Sequence, residues 1–442
     1  MKTILDNLID EFHERNLPPL VQRETRWPVM RGKTVAVVGM RRSGKTWFCY
    51  QHMQALLDSG MAKNRLLYIN FEDDRLLPFS SSDFQVLLDA YFRKYPDHKS
   101  QTCHFYFDEI QRIEGWEMFV RRALDTENAA ICVTGSSSRL LSSEIATSLR
   151  GRALTVEIFP YSFREHLLGR GIAPDRALIG AKTRAIIQHE AENYLRCGGF
   201  PEVIETDETL RMQILRGYVD VALLRDVVER YRVSNLPALR ALVRHFMAAP
   251  STRFSVNKFF RDLKSQGIPC GKNDLYDFLA YLNDAFLIHE SQIYTRSERA
   301  RRVNPRKIYI TDSGLHHAYA FRNTGNRGML LENIVFMQLR RNGIRPAYYL
   351  TERGLEVDFI VENEGASKPS LLQVCWSLGD HETKNREINA LRDAMSELKI
   401  EKGTIITWLD EKAPENGVEI VPAWKWLLRK PDELQYLKCS ER

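Results

Sequence analysis

With 442 residues the chain has room for two to four domains, and its 44% hydrophobic and 27% charged content is ordinary for a soluble protein. It has no apolar run of 18 residues, so no membrane helix is expected, and Met1 to Asp6 mixes charges too early for a signal peptide. Seven cysteines without a C-x-x-C pair predict reduced thiols in a cytoplasmic protein and speak against zinc, while a net charge of +6 is compatible with nucleic acid without requiring it.

The first informative run is Gly39-Met40-Arg41-Arg42-Ser43-Gly44-Lys45-Thr46. It fits G-x-x-x-x-G-K-[ST], a loop whose backbone N–H groups cradle phosphates while the lysine reaches the terminal ones. Thr34–Val38 before it is β-branched and apolar, as a buried parallel strand should be; Trp47, Phe48, Met53, Leu56 and Leu57 after it recur at helical spacing. The loop therefore joins a strand to a helix N-terminus, where the dipole favours phosphate. A nucleoside triphosphate is expected on residues 39–46, and the loop by itself does not distinguish ATP from GTP.

A second apolar strand, Leu66–Phe71, ends in Glu72-Asp73-Asp74, and a helix is expected over Asp83–Tyr95. The third strand, His104–Phe107, runs into Asp108-Glu109. An aspartate at a strand end downstream of the phosphate loop is the Walker B pattern, so Asp108 is expected to hold Mg2+ opposite the Thr46 hydroxyl. Glu109, one residue further, can orient or deprotonate an attacking water, which predicts ATP hydrolysis. The fourth strand, Ala130–Val133, ends in Thr134-Gly135-Ser136-Ser137-Ser138-Arg139, where a polar sensor of the γ-phosphate belongs; Ser136 is the first choice and Thr134 the second. The fifth, Leu154–Ile158, follows Arg150-Gly151-Arg152. Arg152 is the preferred arginine finger, acting in trans, which implies a homo-oligomer. Arg41 and Arg42 are either further phosphate contacts or exposed charges.

Five strands with Walker B on the third and a sensor on the fourth resemble the AAA+ arrangement. Gly39–Thr46, Asn70-Phe71-Glu72-Asp73, Phe107-Asp108-Glu109, Thr134–Ser137, Pro160–Glu165 and Tyr194–Glu202, with its Gly-Gly-Phe-Pro element, resemble the AAA-domain ATPases of bacteria and archaea that carry a C-terminal domain of unknown function. The resemblance covers nearly the whole chain and implies the fold more than a biological role.

Residues 166–215 alternate helical pattern with Gly and Pro breaks and read as a small helical lid. Helices follow over Leu236–Met247, Ser255–Gln266 and Asn273–Phe286, then strands over Leu287–Tyr294 and Lys307–Thr311. The connection between those strands holds Arg296, Arg299, Arg301, Arg302, Arg306 and Lys307 against Glu298 alone. This order reads as a winged helix with a basic wing. DNA is a candidate partner of the wing, although Asp274, Asp277 and Asp284 make the preceding helix a poor face for phosphates.

From Gly325 the pattern changes again. Glu332 on a helix, Asp358 on a strand and Gln373-Val374-Cys375 on the next resemble the PD-(D/E)xK nuclease fold, in which converging carboxylates bind Mg2+ and a lysine helps activate water. Here cysteine replaces the lysine, and Lys384 or Arg386 is the candidate substitute. The eroded signature predicts a vestigial site at Glu332, Asp358 and Gln373, in a domain kept for binding or assembly.

The sequence thus predicts an α/β protein: a helical lead over 1–25, an AAA+ core with a parallel five-stranded sheet over 26–165, a helical lid over 166–216, a winged helix over 217–320 and a nuclease-like α/β domain over 321–442. The expected activity is Mg2+-dependent ATP hydrolysis associated with DNA. The alternatives are a nucleotide switch or scaffold for a protein partner, and an ATPase with added nuclease activity.

Overall fold

The computed structural model describes residues 1–136, 149–175, 180–319, 327–362, 368–430 and 433; Ser137, Ser138, Arg139 and the domain boundary at 320–321 lie outside the described residues. The chain divides into two compact units, residues 1–159 with 284–286, and residues 160–283 with 287–442.

In the first unit α1 (Lys2–Glu14) buries Leu5, Ile9 and Phe12, a stripe at helical spacing. It is fastened by Arg93–Asp6 at 2.8 Å and Arg75–Glu11 at 2.7 Å. Residues 1–25, the helical lead, fall within this unit. β1 (Thr34–Val38) is buried at every position, as a parallel strand covered on both faces must be. It is followed by α2 (Lys45–Asp58), β2 (Leu66–Asn70), α3 (Asp83–Lys94), β3 (Cys103–Asp108), α4 (Trp116–Thr126), β4 (Ala129–Gly135) and β5 (Ala153–Glu157). The sheet order is β2-β3-β4-β1-β5, every pairing parallel. In space it is β4, the expected sensor strand, that separates β1 from β3; β2 lies at the edge. Register sets Val38 beside Gly135 and Asn70 beside Asp108. The phosphate loop and the Asp108-Glu109 turn thereby share the carboxyl edge of the sheet, where open α/β sheets bind ligands.

The second unit opens with α5 (Phe163–Gly169), started by a reciprocal Ser162–Glu165 capping box, then α6 (Ala181–Cys197) and α7 (Glu208–Val221). The Gly-Gly-Phe-Pro element after α6 is a packing knot. Gly199 N–H donates to Asp312 Oδ2 at 2.7 Å and Gly314 N–H to Asp312 Oδ1 at 2.9 Å. A Cβ on Gly198, whose φ is +76°, would lie 1.7 Å from Asp312 Oδ1. Next come α8 (Leu236–Ala248), β6 (Thr252–Phe254), α9 (Val256–Ser265), α10 (Lys272–Asp284), β7 (Ile288–Ser291), α11 (Glu298–Val303) and β8 (Arg306–Ile310), with an antiparallel sheet in the order β6-β8-β7. The connection expected as an open basic wing contains α11, capped by Ser297.

After α12 (Ser313–Tyr319) and α13 (Arg327–Arg341) come β9 (Ala347–Leu350), β10 (Glu356–Val361), β11 (Ser370–Cys375), α14 (His381–Glu397), β12 (Gly403–Thr407), β13 (Lys412–Glu415), β14 (Val418–Pro422) and α15 (Ala423–Leu427). These strands form a mixed six-stranded sheet, β13-β14-β12-β11-β10-β9. No helix among the described residues is long and apolar enough to cross a membrane.

Candidate nucleotide site and a second charged cluster

The loop at 39–46 has the backbone a phosphate cradle needs. Gly39 and Gly44 have φ of +143° and +100°, and a Cβ on Gly39 would lie 2.2 Å from the Ile158 carbonyl oxygen. The Ser43 hydroxyl is buried with no hydrogen-bond partner among the described residues. Lys45, also buried, folds back to donate to the carbonyls of Gly39 at 3.2 Å and Met40 at 3.3 Å. Arg41 pairs with Glu72 at 3.3 Å, and Arg42 is exposed.

Arg23, in the lead, was not legible from any motif. Its buried guanidinium donates to the carbonyls of Ser43 and, at 2.7 Å, Phe159, and so braces the loop from behind.

Asp108 is held on three sides. Thr46 Oγ1 donates to its Oδ2 at 2.8 Å, Tyr68 Oη donates to the same oxygen at 2.7 Å, and Thr134 Oγ1 donates to Oδ1. Thr134 also accepts the Glu109 N–H at 3.1 Å; Ser136 is buried two residues beyond. Glu109 sits in the left-handed region at φ +52° and receives the Gln111 amide. Burial pushes its carboxyl above the usual range against the pull of Lys45, whose Nζ is 3.9 Å away. An ATP phosphate chain with Mg2+ fits this donor set: backbone cradle, lysine, one hydroxyl and one carboxylate, the remaining metal positions being filled by phosphate and water.

Arg152 lies at the other end of the sheet. Its carbonyl accepts the N–H of Thr34, the first residue of β1, and its side chain pairs with Asp125.

In the second unit Glu332 of α13 and Asp358 of β10 do converge, but around a residue counted in the basic wing. Lys307 is 2% exposed, and its Nζ lies 2.7 Å from Glu332, 2.7 Å from Glu356 and 2.9 Å from Asp358. Burial alone would lower its pKa, yet the carboxylates hold the ammonium well above the usual lysine range. Burial, with Asp358 adding, pushes Glu332 up to about 8, and Tyr309 Oη donates to Glu332 at 2.7 Å. Arg253 pairs with Glu356 at 3.0 Å.

The expected vestigial ligand Gln373 does not join them. Its oxygen accepts the Asp358 N–H at 3.2 Å and its amide donates to Glu387. Arg386, one of the two candidate substitutes, pairs with Glu387 at 2.7 Å. No group of three or more His, Cys, Asp and Glu placed to hold a metal occurs among the described residues. No alternation marks Lys307 in the sequence, since every residue of the strand from Lys307 to Ile310 is buried.

Strand order, phosphate loop and the Asp-Glu turn define an AAA+ P-loop ATPase domain, and residues 31–167 match a family described as an AAA domain. Residues 188–326 and 327–426 match two domains of unknown function, DUF8612 and DUF4143. The chain is 33% identical to the uncharacterized protein MJ1544 of Methanocaldococcus jannaschii over 97% of its own length and 94% of that protein. It is 30% identical to an uncharacterized protein of Haemophilus influenzae over 89% of its own length and 94% of that protein. The chain belongs to the family of these proteins. Among solved structures it is similar to the Walker-type ATPase PABY2304 of Pyrococcus abyssi, at 17% identity and a TM-score of 0.42 over 72% of this chain and 95% of that one.

Proposed function

We propose that the chain binds Mg·ATP on residues 39–46 and hydrolyses it. The observation that carries this reading is the meeting of Lys45, Thr46, Asp108 and Glu109 at one sheet edge. In the proposed reaction the loop N–H groups and Lys45 hold the phosphates, Thr46 and Asp108 hold the metal, and Glu109 orients the attacking water. Thr134 fixes the turn that carries both carboxylates and takes the sensor position, while Ser136 remains a candidate contact. Arg152 completes a neighbour's site in a homo-oligomer. Bound Mg2+ would neutralise charge developing on the transferred phosphoryl group.

The order α8, β6, α9, α10, β7, β8 supports a winged-helix reading of the middle region, and the mixed sheet with α13 and α14 supports a nuclease-like fold for the last. Exposed Arg296, Arg299 and Arg302 support DNA as the target of ATP-driven movement. The second reading, a nucleotide switch for a protein partner, is favoured by charge already spent within the protein: Lys307 is buried, Arg301 pairs with Glu298 at 2.7 Å, and Arg306 pairs with Glu290. Turnover stimulated by duplex or single-stranded DNA, and falling steeply with salt, supports the first; turnover indifferent to DNA but rising with protein concentration supports the second. For the C-terminal domain we read a binding or assembly role. Mg2+- or Mn2+-dependent cleavage of DNA or RNA, abolished by Asp358→Ala, would overturn that reading.

A further inference from the structure

The Walker B aspartate has a partner that neither the loop nor the Asp-Glu motif supplies. Tyr68 is on the edge strand β2, paired with Tyr106, while Asn70 is paired with Asp108. Tyr68 and Asp108 are thus diagonal neighbours on one face of the parallel pair, a step that the tyrosine side chain spans. Its hydroxyl meets Asp108 Oδ2 at 2.7 Å, the same oxygen that takes the Thr46 hydroxyl. The phenol is buried, with the Tyr50 ring 5.4 Å from it and the Arg15 guanidinium 5.3 Å from its centroid. Arg15, just beyond α1, also donates to the Tyr50 hydroxyl at 3.1 Å. Beside Thr46 and Asp108 a cavity of about 360 Å³ reaches Arg15, Tyr50, Tyr68 and Asn70, room for the water shell of a cation.

We propose that Tyr68 is a positioning residue for the metal: it locks the Asp108 carboxylate in the orientation that receives Mg2+, and Arg15 with Tyr50 holds it there. The proposal rests on the Mg·ATP reading of this site. Outer partners that orient a metal-holding carboxylate typically contribute about 10–100-fold to metal affinity.

The test is Mg2+ titration of the full chain, read by binding of a fluorescent ATP analogue and by turnover. Tyr68→Phe should raise the half-saturating Mg2+ concentration about 10-fold or more, leave analogue binding in EDTA within about two-fold, and recover most of kcat at saturating Mg2+. Tyr91→Phe removes another buried tyrosine hydroxyl of this unit, one bonded to Asn64 and His98, and should not move the Mg2+ requirement. On an Asp108→Asn background Tyr68→Phe should add no further shift. If Tyr68→Phe does not fold, Tyr68→His takes its place and must still need more Mg2+ than wild type. Wild-type Mg2+ dependence in the folded variant, or an equal shift in Tyr91→Phe, overturns the proposal. Absence of Mg2+-dependent nucleotide binding in wild type overturns the underlying reading instead.

Discussion

Replacing Lys307 by methionine keeps the length of the side chain and deletes the charge at the centre of three carboxylates. At neutral pH Glu332, pushed up to about 8, retains its proton, and Glu356 keeps Arg253 at 3.0 Å. Asp358 is then the group left without a cation; its Oδ2 still accepts the Val374 N–H at 3.0 Å. One stranded buried carboxylate matches the situation in which breaking a buried pair costs about 3–5 kcal/mol. For a unit of this size that is a fall in melting temperature of roughly 10 °C. Thermal and urea unfolding of Lys307→Met against wild type measures it. The double variant Lys307→Met/Asp358→Asn should recover a large part of the loss, since the charge and its partner leave together. A loss within about 0.5 kcal/mol, the range of surface substitutions, would refute the picture of a lysine-centred buried cluster.

Gly39→Ala places a Cβ 2.2 Å from the Ile158 carbonyl oxygen at a φ of +143°, so ATP binding should weaken about ten-fold or more; isothermal titration checks this, and unchanged affinity would show that the cradle tolerates a side chain. Burial pushes Asp312 up to about 6 despite the N–H groups of Gly199 and Gly314. Its folded pKa lies above its unfolded one, so its contribution is fully present below about pH 4 and is lost as pH rises through about 6, a decline of about 3 kcal/mol. Urea unfolding between pH 4 and 7.5 should show a flatter profile for Asp312→Asn, and parallel profiles would remove Asp312 as the cause.

The first unit was legible because buried parallel strands are unbroken apolar runs and the chemistry sits at their ends. Thr34–Val38 and Leu66–Asn70 appear almost as the composition predicts, and Asp108 lies beside the loop because strand ends align. What the sequence concealed was pairing across distance. Tyr68 looks like one more apolar strand residue until β2 is set beside β3. Arg23 carries no motif, and its role exists only once Ser43 and Phe159 come to it. Lys307 was assigned by the charges around it in sequence, whereas its partners are 25 to 51 residues further along.

The central claim is that Asp108-Glu109 completes a hydrolytic site on the loop at 39–46. Steady-state ATP turnover by wild type and Glu109→Gln, with Mg2+ and with EDTA, tests it most directly. The account predicts Mg2+-dependent turnover that falls about 100-fold or more in Glu109→Gln while ATP binding is retained. Equal turnover in the two proteins would contradict it.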